Sequence, residues 1–256
     1  MEKLVIIPTY NEQENIANIL TAVFDLQQDF HVLVIDDGSP DGTAQIVKGL
    51  QSKYNGQLFL EERAGKLGLG TAYIHGFKWG LAKGYDFIFE IDADFSHNPK
   101  DLARLYNACK KDGADVAVGS RYVSEGGVIN WPWDRIALSK GASLYTRMIT
   151  WMPIKDPTAG FVCYKKEVLE AMNLDAIAFV GYAFQIEMKF LAWKFGFILK
   201  EIPIIFTDRT LGESKMSAGI FKEAFFGVLQ MTIQSWFKKF IPFGQSTQTN
   251  LKKSYS

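Results

Sequence analysis

Net charge is the first thing missing from this chain. Its 28 Lys and Arg balance 28 Asp and Glu, so no bulk field draws it to nucleic acid, and no nucleic-acid partner is expected. Cysteine is nearly absent: Cys109 and Cys163 are the only two, far apart and at no metal or redox spacing. That fits a reducing compartment and argues against a disulfide scaffold. Cys109 falls on a helical apolar stripe and Cys163 in an apolar run, so both are expected in the core. Nowhere does the chain offer the roughly 18 or more uncharged apolar residues of a spanning helix. Leu4 opens an apolar run almost at once, which leaves no room for a signal peptide. A cytoplasmic protein is expected. Repeats and internal linkers are lacking too. So are a Walker loop and a dinucleotide-binding glycine fingerprint, which disfavours P-loop enzymes and dehydrogenases.

What is present is enough for a large core: 256 residues, 48% of them hydrophobic, with 20 Phe, 10 Tyr and 6 Trp. The first half alternates strand and helix patterns. Strands are expected at Leu4–Ile7, His31–Ile35, Leu58–Leu60, Phe87–Asp94 and Val116–Val118. Helices are expected around Ile16–Phe24, Ala44–Leu50, Thr71–Ala82 and after Pro99, with Leu102, Leu105, Tyr106 and Cys109 on one face. This order predicts an α/β fold with a mainly parallel central sheet. Beyond residue 124 the pattern loosens. Ile136–Trp151 reads as helix, and Ile198–Phe206 as a strand that Pro203 interrupts, hence an edge or a bulge.

The unusual residues stand where the strands end, which is where open α/β sheets bind ligands. Phe87-Ile88-Phe89-Glu90-Ile91 runs into Asp92-Ala93-Asp94-Phe95-Ser96-His97. In an extended chain Asp92 and Asp94 would project to one side. Two hard oxygen donors beside an open space suit a divalent cation that also holds a substrate phosphate. Pro8-Thr9-Tyr10-Asn11-Glu12 follows the first strand, and Thr9 with Glu12, or Asn11 with Glu14, matches a capping box. Asp36-Asp37-Gly38-Ser39-Pro40-Asp41-Gly42-Thr43 follows the second, in turn-forming residues. Arg63–Gly70 is glycine-rich and basic. Arg209 and Lys215 stand six apart in Asp208–Lys215, a fork and a point charge suited to diphosphate oxygens. Caps, turns and solvated charges would explain each segment alone. Together they supply metal-, phosphate- and base-type contacts that one ligand could satisfy.

These segments, with Gly119-Ser120-Arg121-Tyr122, Phe184-Gln185-Ile186-Glu187-Met188 and Gly212-Glu213-Ser214-Lys215, resemble those of family 2 glycosyltransferases, within them the dolichyl-phosphate (polyprenyl-phosphate) mannose synthase branch. The resemblance runs from about Val5 to Lys215. It implies a GT-A nucleotide-sugar-binding fold over residues 1–218 that transfers mannose from GDP-mannose to a polyprenyl (dolichyl-type) monophosphate, inverting and metal-dependent. Pro8, Tyr10, Glu12, Ile35 and Asp37 would hold the nucleoside. Asp92, Ala93, Asp94 and Ser96 would engage ribose, diphosphate and a Mg²⁺ or Mn²⁺ ion ligated by Asp92 and Asp94. Arg121, Arg209 and Lys215 would bind phosphates or the anionic acceptor and count with Asp94 as catalytic. Such an acceptor is already an anion and needs no general base, so positioning and electrostatics would carry the reaction. Gly212 would hinge a lid. Glu90 departs from the pattern, as a third carboxylate near the metal or a residue paired in the sheet.

Two alternatives stay open: a UDP-glucose-dependent lipid-phosphate glucosyltransferase, and a non-catalytic nucleotide-sugar binder. A processive polysaccharide synthase is disfavoured, because Ile-Glu-Met follows Gln185. The substrate class demands an interface. Residues 219–243, with Phe221, Phe225, Trp236 and Phe237 flanked by Lys222, Lys238 and Lys239, read as an amphipathic helix able to lie among lipid headgroups or to pack on the core. That would make the enzyme peripheral to the inner face of the membrane. Residues 244–256 read as a flexible tail.

Overall fold

A computed structural model describes residues 2–209, 218–237 and 239–240. Lys215, the Gly212 hinge and the tail lie outside the described residues. In chain order the elements are β1 (Lys3–Thr9), α1 (Ile16–Phe24), β2 (Phe30–Asp36), α2 (Thr43–Gln51), β3 (Leu58–Glu62), α3 (Leu69–Lys83), β4 (Phe87–Glu90) and α4 (Leu102–Lys110). They continue with β5 (Val116–Ser120), β6 (Gly127–Ile129), α5 (Trp133–Thr150), β7 (Val162–Lys165), α6 (Lys166–Ala171), α7 (Tyr182–Lys194), β8 (Leu199–Pro203), β9 (Ile205–Thr207) and α8 (Ala218–Trp236).

Seven strands form one sheet in the order β3-β2-β1-β4-β7-β5-β8. Every neighbouring pair is parallel except those of β7, which runs against both β4 and β5. Alternation along the strands explains the layers. Val5 and Ile7 face a core built on Ile16, Ile19 and Leu20 of α1 and Leu102 and Leu105 of α4. Leu4 and Ile6 face the opposite core, built on Tyr73 and Phe77 of α3 and Phe184 and Met188 of α7. Cys109 and Cys163 are buried free thiols, as their apolar settings predict. The mainly parallel sheet and its two helical layers match the expected class.

Three local expectations change. β4 stops at Glu90, because β7 pairs with it only through Phe87–Glu90. Asp92 and Asp94 therefore lie in the turn beyond the strand, and pleating does not align them. The capping-box alternative for residues 9–14 is not formed: α1 begins at Ile16 with Asn15 before it, and the Thr9 hydroxyl instead donates to Asp36 Oδ1 at 2.8 Å. The strand around Pro203 splits into β8, at the sheet edge, and β9, which pairs with β6 in a separate two-stranded sheet.

α8 packs on a third apolar cluster. Its Val228 and Met231 meet Met152, Ile154, Ile186 and Phe190. The other side of the same helix leaves Phe225, Phe226, Leu229, Ile233 and Trp236 exposed, as is Phe237 just beyond its end. Among the described residues, no helix is long and apolar enough to cross a membrane.

Candidate active site

The carboxyl ends of β1, β2 and β4 meet at one mouth, and the loops leaving them are tied together. Residue Asn11, held at φ +55°, donates its backbone N–H to Ser39 Oγ at 3.0 Å. The next amide, of Glu12, donates to Thr43 Oγ1 at 3.0 Å. Asp36 anchors the second loop by accepting from the Ser39 amide at 2.8 Å and its hydroxyl at 2.6 Å. Asp41 accepts from the Thr43 hydroxyl at 2.6 Å and the Gln13 amide at 3.0 Å. Burial would raise Asp41, but these donors outweigh it and hold its carboxyl below the usual range. The "turn" residues thus crosslink two strand-end loops into a rigid rim.

Asp37 is buried and takes both Nε and Nη2 of Arg63 at 2.6 Å. That guanidinium also donates to Thr71 Oγ1 at 2.9 Å, which pins the start of α3 to the rim. Lys66 Nζ stands 5.3 Å over the Tyr10 ring. Pro8 and Tyr10 are half-buried at the mouth, whereas the Ile35 side chain is fully buried under α3.

Beyond β4, Phe95 adopts φ +59°, turning the chain so that the Ser96 amide donates to Asp94 Oδ1 at 3.0 Å. Ser96 O accepts from Thr207 at 3.1 Å, docking the end of β9 on this turn. Two residues on, Arg209 Nη2 reaches Asp94 Oδ2 at 3.1 Å. The separation of 115 residues between that acid and that base is closed by the β9 contact. Asp92 is 38% exposed at its side chain. Burial and the like charge of Asp94 push its carboxyl up to about 7, against Arg209; its open side limits the first of these effects. His97 lies between Phe161 and Phe206, with ring centroids 5.1 Å away. Burial pushes its pKa down to about 4, so it is neutral near pH 7.

Arg121, at the end of β5, is already engaged: its Nε and Nη2 donate to buried Asp156 at 2.7 and 2.6 Å, and Nη2 to Thr158 at 2.8 Å. Nearby, Arg135 grips Asp208 with contacts of 2.8 and 2.9 Å and stacks 4.1 Å over Trp131. Glu90 is fully buried and accepts from Gln185 Nε2 at 2.8 Å. Among the described residues, no group of three or more His, Cys, Asp or Glu side chains is placed to hold a metal. Glu90 is thus tied to α7 through a buried polar contact. The donor set of Asp92 and Asp94 still fits Mg²⁺ or Mn²⁺, since such an ion commonly takes one or two carboxylates and completes its shell with water and substrate phosphates.

The structure therefore brings Tyr10, Glu12, Asp37, Asp92, Asp94, Ser96 and Arg209 to one mouth, with Arg121 at its β5 edge. A cleft of about 890 Å³ opens beside Asp94, Phe95 and Asp208. Sequence reasoning missed Arg63, Asp156 and Arg135 as charge partners. Their only local signals were the basic glycine-rich run, the Asp-Pro-Thr between α5 and β7, and the Trp-Pro-Trp loop.

A rim of crosslinked loops, a carboxylate pair and a facing guanidinium stand at the carboxyl end of a mainly parallel sheet, where open α/β folds bind their ligands. The chain belongs to glycosyl transferase family 2, whose profile matches residues 4–172, and its fold is GT-A. Among characterised relatives, the polyprenol monophosphomannose synthase of Mycolicibacterium smegmatis is 47% identical over 231 residues, 90% of this chain and 87% of that protein. The undecaprenyl-phosphate mannosyltransferase of Micrococcus luteus is 44% identical over 224 residues, covering 88% and 91%. A structure of glucosyl-3-phosphoglycerate synthase from Mycobacterium tuberculosis, with Mn²⁺, UDP and glucosyl-3-phosphoglycerate, aligns at TM-score 0.64 and 15% identity over 91% of this chain and 79% of that one. The mannosyltransferase PcManGT of Pyrobaculum calidifontis, with GDP-Man and Mn²⁺, aligns at 0.52 and 15% over 91% and 73%.

Proposed function

We propose that the protein transfers mannose from GDP-mannose to a polyprenyl monophosphate at a membrane surface, with inversion at the anomeric carbon. The observation that carries this reading is the 3.1 Å contact of Arg209 with Asp94. It gathers opposite charges where a nucleoside diphosphate would lie along the strand ends. The relatives named for mannosyl transfer to polyprenyl phosphates support the sugar and the acceptor, and PcManGT is an instance of this fold with GDP-Man and Mn²⁺.

Asp92 and Asp94 would hold Mg²⁺ or Mn²⁺, which when bound supplies Lewis-acid charge to the leaving diphosphate. Every other requirement falls to the chain itself. The rim formed by Pro8–Glu12 and Asp37 seats the nucleoside. Arg209 and Lys215 neutralise the diphosphate, and Arg121 faces the acceptor phosphate. The acceptor attacks as an anion, so no side chain has to remove a proton, and the neutral, buried His97 is no obstacle to that. The open face of α8, from Phe225 to Trp236, brings the mouth to the lipid surface.

Labelled GDP-mannose and UDP-glucose, each incubated with polyprenyl phosphate and Mn²⁺, test the reading by partition of label into organic solvent. Label is expected from GDP-mannose alone. Label from UDP-glucose only would assign the glucosyl alternative, and none from either would leave a nucleotide-sugar binder. Replacing Trp236 and Phe237 with Ser is expected to weaken flotation with liposomes. Unchanged flotation would remove α8 from the membrane contact.

A further inference from the structure

A second cavity, of about 540 Å³, lies along α5 and is lined by Arg121, Lys140, Arg147 and Lys155 with no acidic side chain among its lining residues. The helix explains the clustering. Ile136, Lys140, Ser143, Leu144 and Arg147 recur at helical spacing and turn one stripe of α5 into the cavity wall. Arg121 is neutralised by Asp156. The other three cations make no ion pair among the described residues, and Lys140 has only the Tyr122 ring, 6.0 Å away. One more group points to a ligand. Ser143 is 2% exposed, and its buried hydroxyl has no hydrogen-bond partner among the described residues. A buried hydroxyl left unpaired is costly, and it sits in the wall beside three cations that have no ion pair among the described residues.

The surroundings select the kind of anion. Leu144 belongs to the cavity wall and is also 55% exposed; Met148 and Trp151, one and two turns further on, are 67% and 80% exposed. The cationic stripe thus borders an apolar edge formed by Leu144 and Met148 of the same helix and Trp151 just past its end, and α5 packs on α8, whose open face is also apolar. Cations beside an apolar helical edge match the headgroup and acyl boundary of an anionic bilayer.

We propose that the Lys140, Arg147 and Lys155 side of this cavity binds the headgroup phosphate of an anionic membrane phospholipid, beside the acceptor phosphate that Arg121 faces, and thereby fixes the orientation of the enzyme on the bilayer. The proposal rests on the reading above that the acceptor is a membrane lipid. Lys140, Arg147 and Lys155 would surround the phosphate, Ser143 would donate to one of its oxygens, and Leu144, Met148 and Trp151 would enter the acyl edge.

The test uses the full chain with vesicles of phosphatidylcholine alone or mixed with phosphatidylglycerol, and mannosyl transfer to polyprenyl phosphate in detergent micelles. Wild-type protein is expected to partition more strongly onto the phosphatidylglycerol vesicles. Combining Lys140→Ala, Arg147→Ala and Lys155→Ala should cut that preference by on the order of 100-fold, at roughly fivefold per surface cation, and leave the micellar KM unchanged. Ser143→Ala alters no charge and should lower the preference several-fold. If it does not, the cavity is only diffuse positive surface and the site is wrong. Full phosphatidylglycerol preference in the triple variant also overturns it. Should the triple variant instead raise the micellar KM for polyprenyl phosphate tenfold or more, the cavity serves the acceptor and the phospholipid assignment fails. If wild-type protein transfers no mannose yet loses its vesicle preference with these substitutions, the site stands and the functional reading fails.

Discussion

Gln185 of α7 donates its side-chain amide to Glu90 Oε2 at the end of β4, at 2.8 Å, and so joins the strand that leads to Asp92 and Asp94 to the helix behind it. The same Gln185 accepts from Lys189 Nζ through its backbone oxygen at 2.7 Å and its side-chain oxygen at 3.1 Å. Lys189 also donates to Ala159 O at 2.7 Å. An amide thereby bridges a buried acid and a buried base. Burial drives Glu90 up to about 8 and Lys189 down to about 8, each resisted by the other's charge.

Removing one member of such a network leaves the other without compensation. Glu90→Ala is expected to cost about 3–5 kcal/mol, measured by urea unfolding, and Glu90→Gln much less, because a neutral amide can still accept from Gln185. A loss below about 1 kcal/mol for Glu90→Ala would mean that Lys189 finds another partner. Glu90→Gln is also expected to keep its fold while altering kcat, through the turn that carries Asp92.

Asp156 predicts an acid limit to stability. Burial would raise its carboxyl, but the charge and hydrogen bonds of Arg121 outweigh burial and hold it below the usual range. With the folded pKa depressed, the contribution is complete above the unfolded value, about 3.9, and is lost as pH falls through the lower folded value. Unfolding midpoints between pH 5 and pH 2 should therefore fall more steeply for wild-type protein than for Asp156→Asn, which should be about 3–5 kcal/mol less stable at pH 7. Parallel slopes would show that the pair contributes nothing to the acid limb.

Whether these features were legible depended on how local they are. Strands such as Leu4–Ile7 declare themselves through composition, and the loops after β1, β2 and β4 through residues that serve turns and ligands alike. The direction of β7 is not local: Val-Cys-Tyr-Lys reads the same parallel or antiparallel, and only its neighbours β4 and β5 decide. The end of β4 at Glu90 depends on β7 in turn. Charge partners were hidden for the same reason. Asp37 and Arg63 are 26 positions apart and Arg121 and Asp156 are 35, and no periodicity links them. Glu90 looked anomalous in an apolar strand because its partner lies on α7, 95 positions away.

The Asp37–Arg63 pair depends on a glycine. Gly38 is held at φ +69°, and a Cβ there would lie 3.3 Å from the Arg63 carbonyl oxygen. Gly38→Ala combines left-handed strain, about 1–2 kcal/mol for a residue with a Cβ, with a push on the segment that carries Arg63. The expected outcome is a several-fold or greater rise in KM for the nucleotide sugar, with KM for the acceptor unchanged. Equal effects on both substrates would mean that the rim does not act on the nucleoside separately.

Arg209 occupies Asp94 Oδ2 at 3.1 Å, an oxygen that a divalent ion would also need. Guanidinium and metal would therefore compete for Asp94 in the absence of a nucleotide, and would cooperate once a diphosphate supplied oxygens to both. Arg209→Ala is expected to tighten Mn²⁺ binding to the free protein in a calorimetric titration. It should also lower kcat by about 10²–10³-fold, the usual cost of a lost charge-stabilising donor. Asp94→Asn should weaken Mn²⁺ binding and abolish turnover together, and chelator should mimic it reversibly. If Arg209→Ala weakens Mn²⁺ binding to the free protein, the arginine supports the ion site instead of competing for it. If turnover persists in excess chelator, Asp92 and Asp94 serve the substrate without a metal.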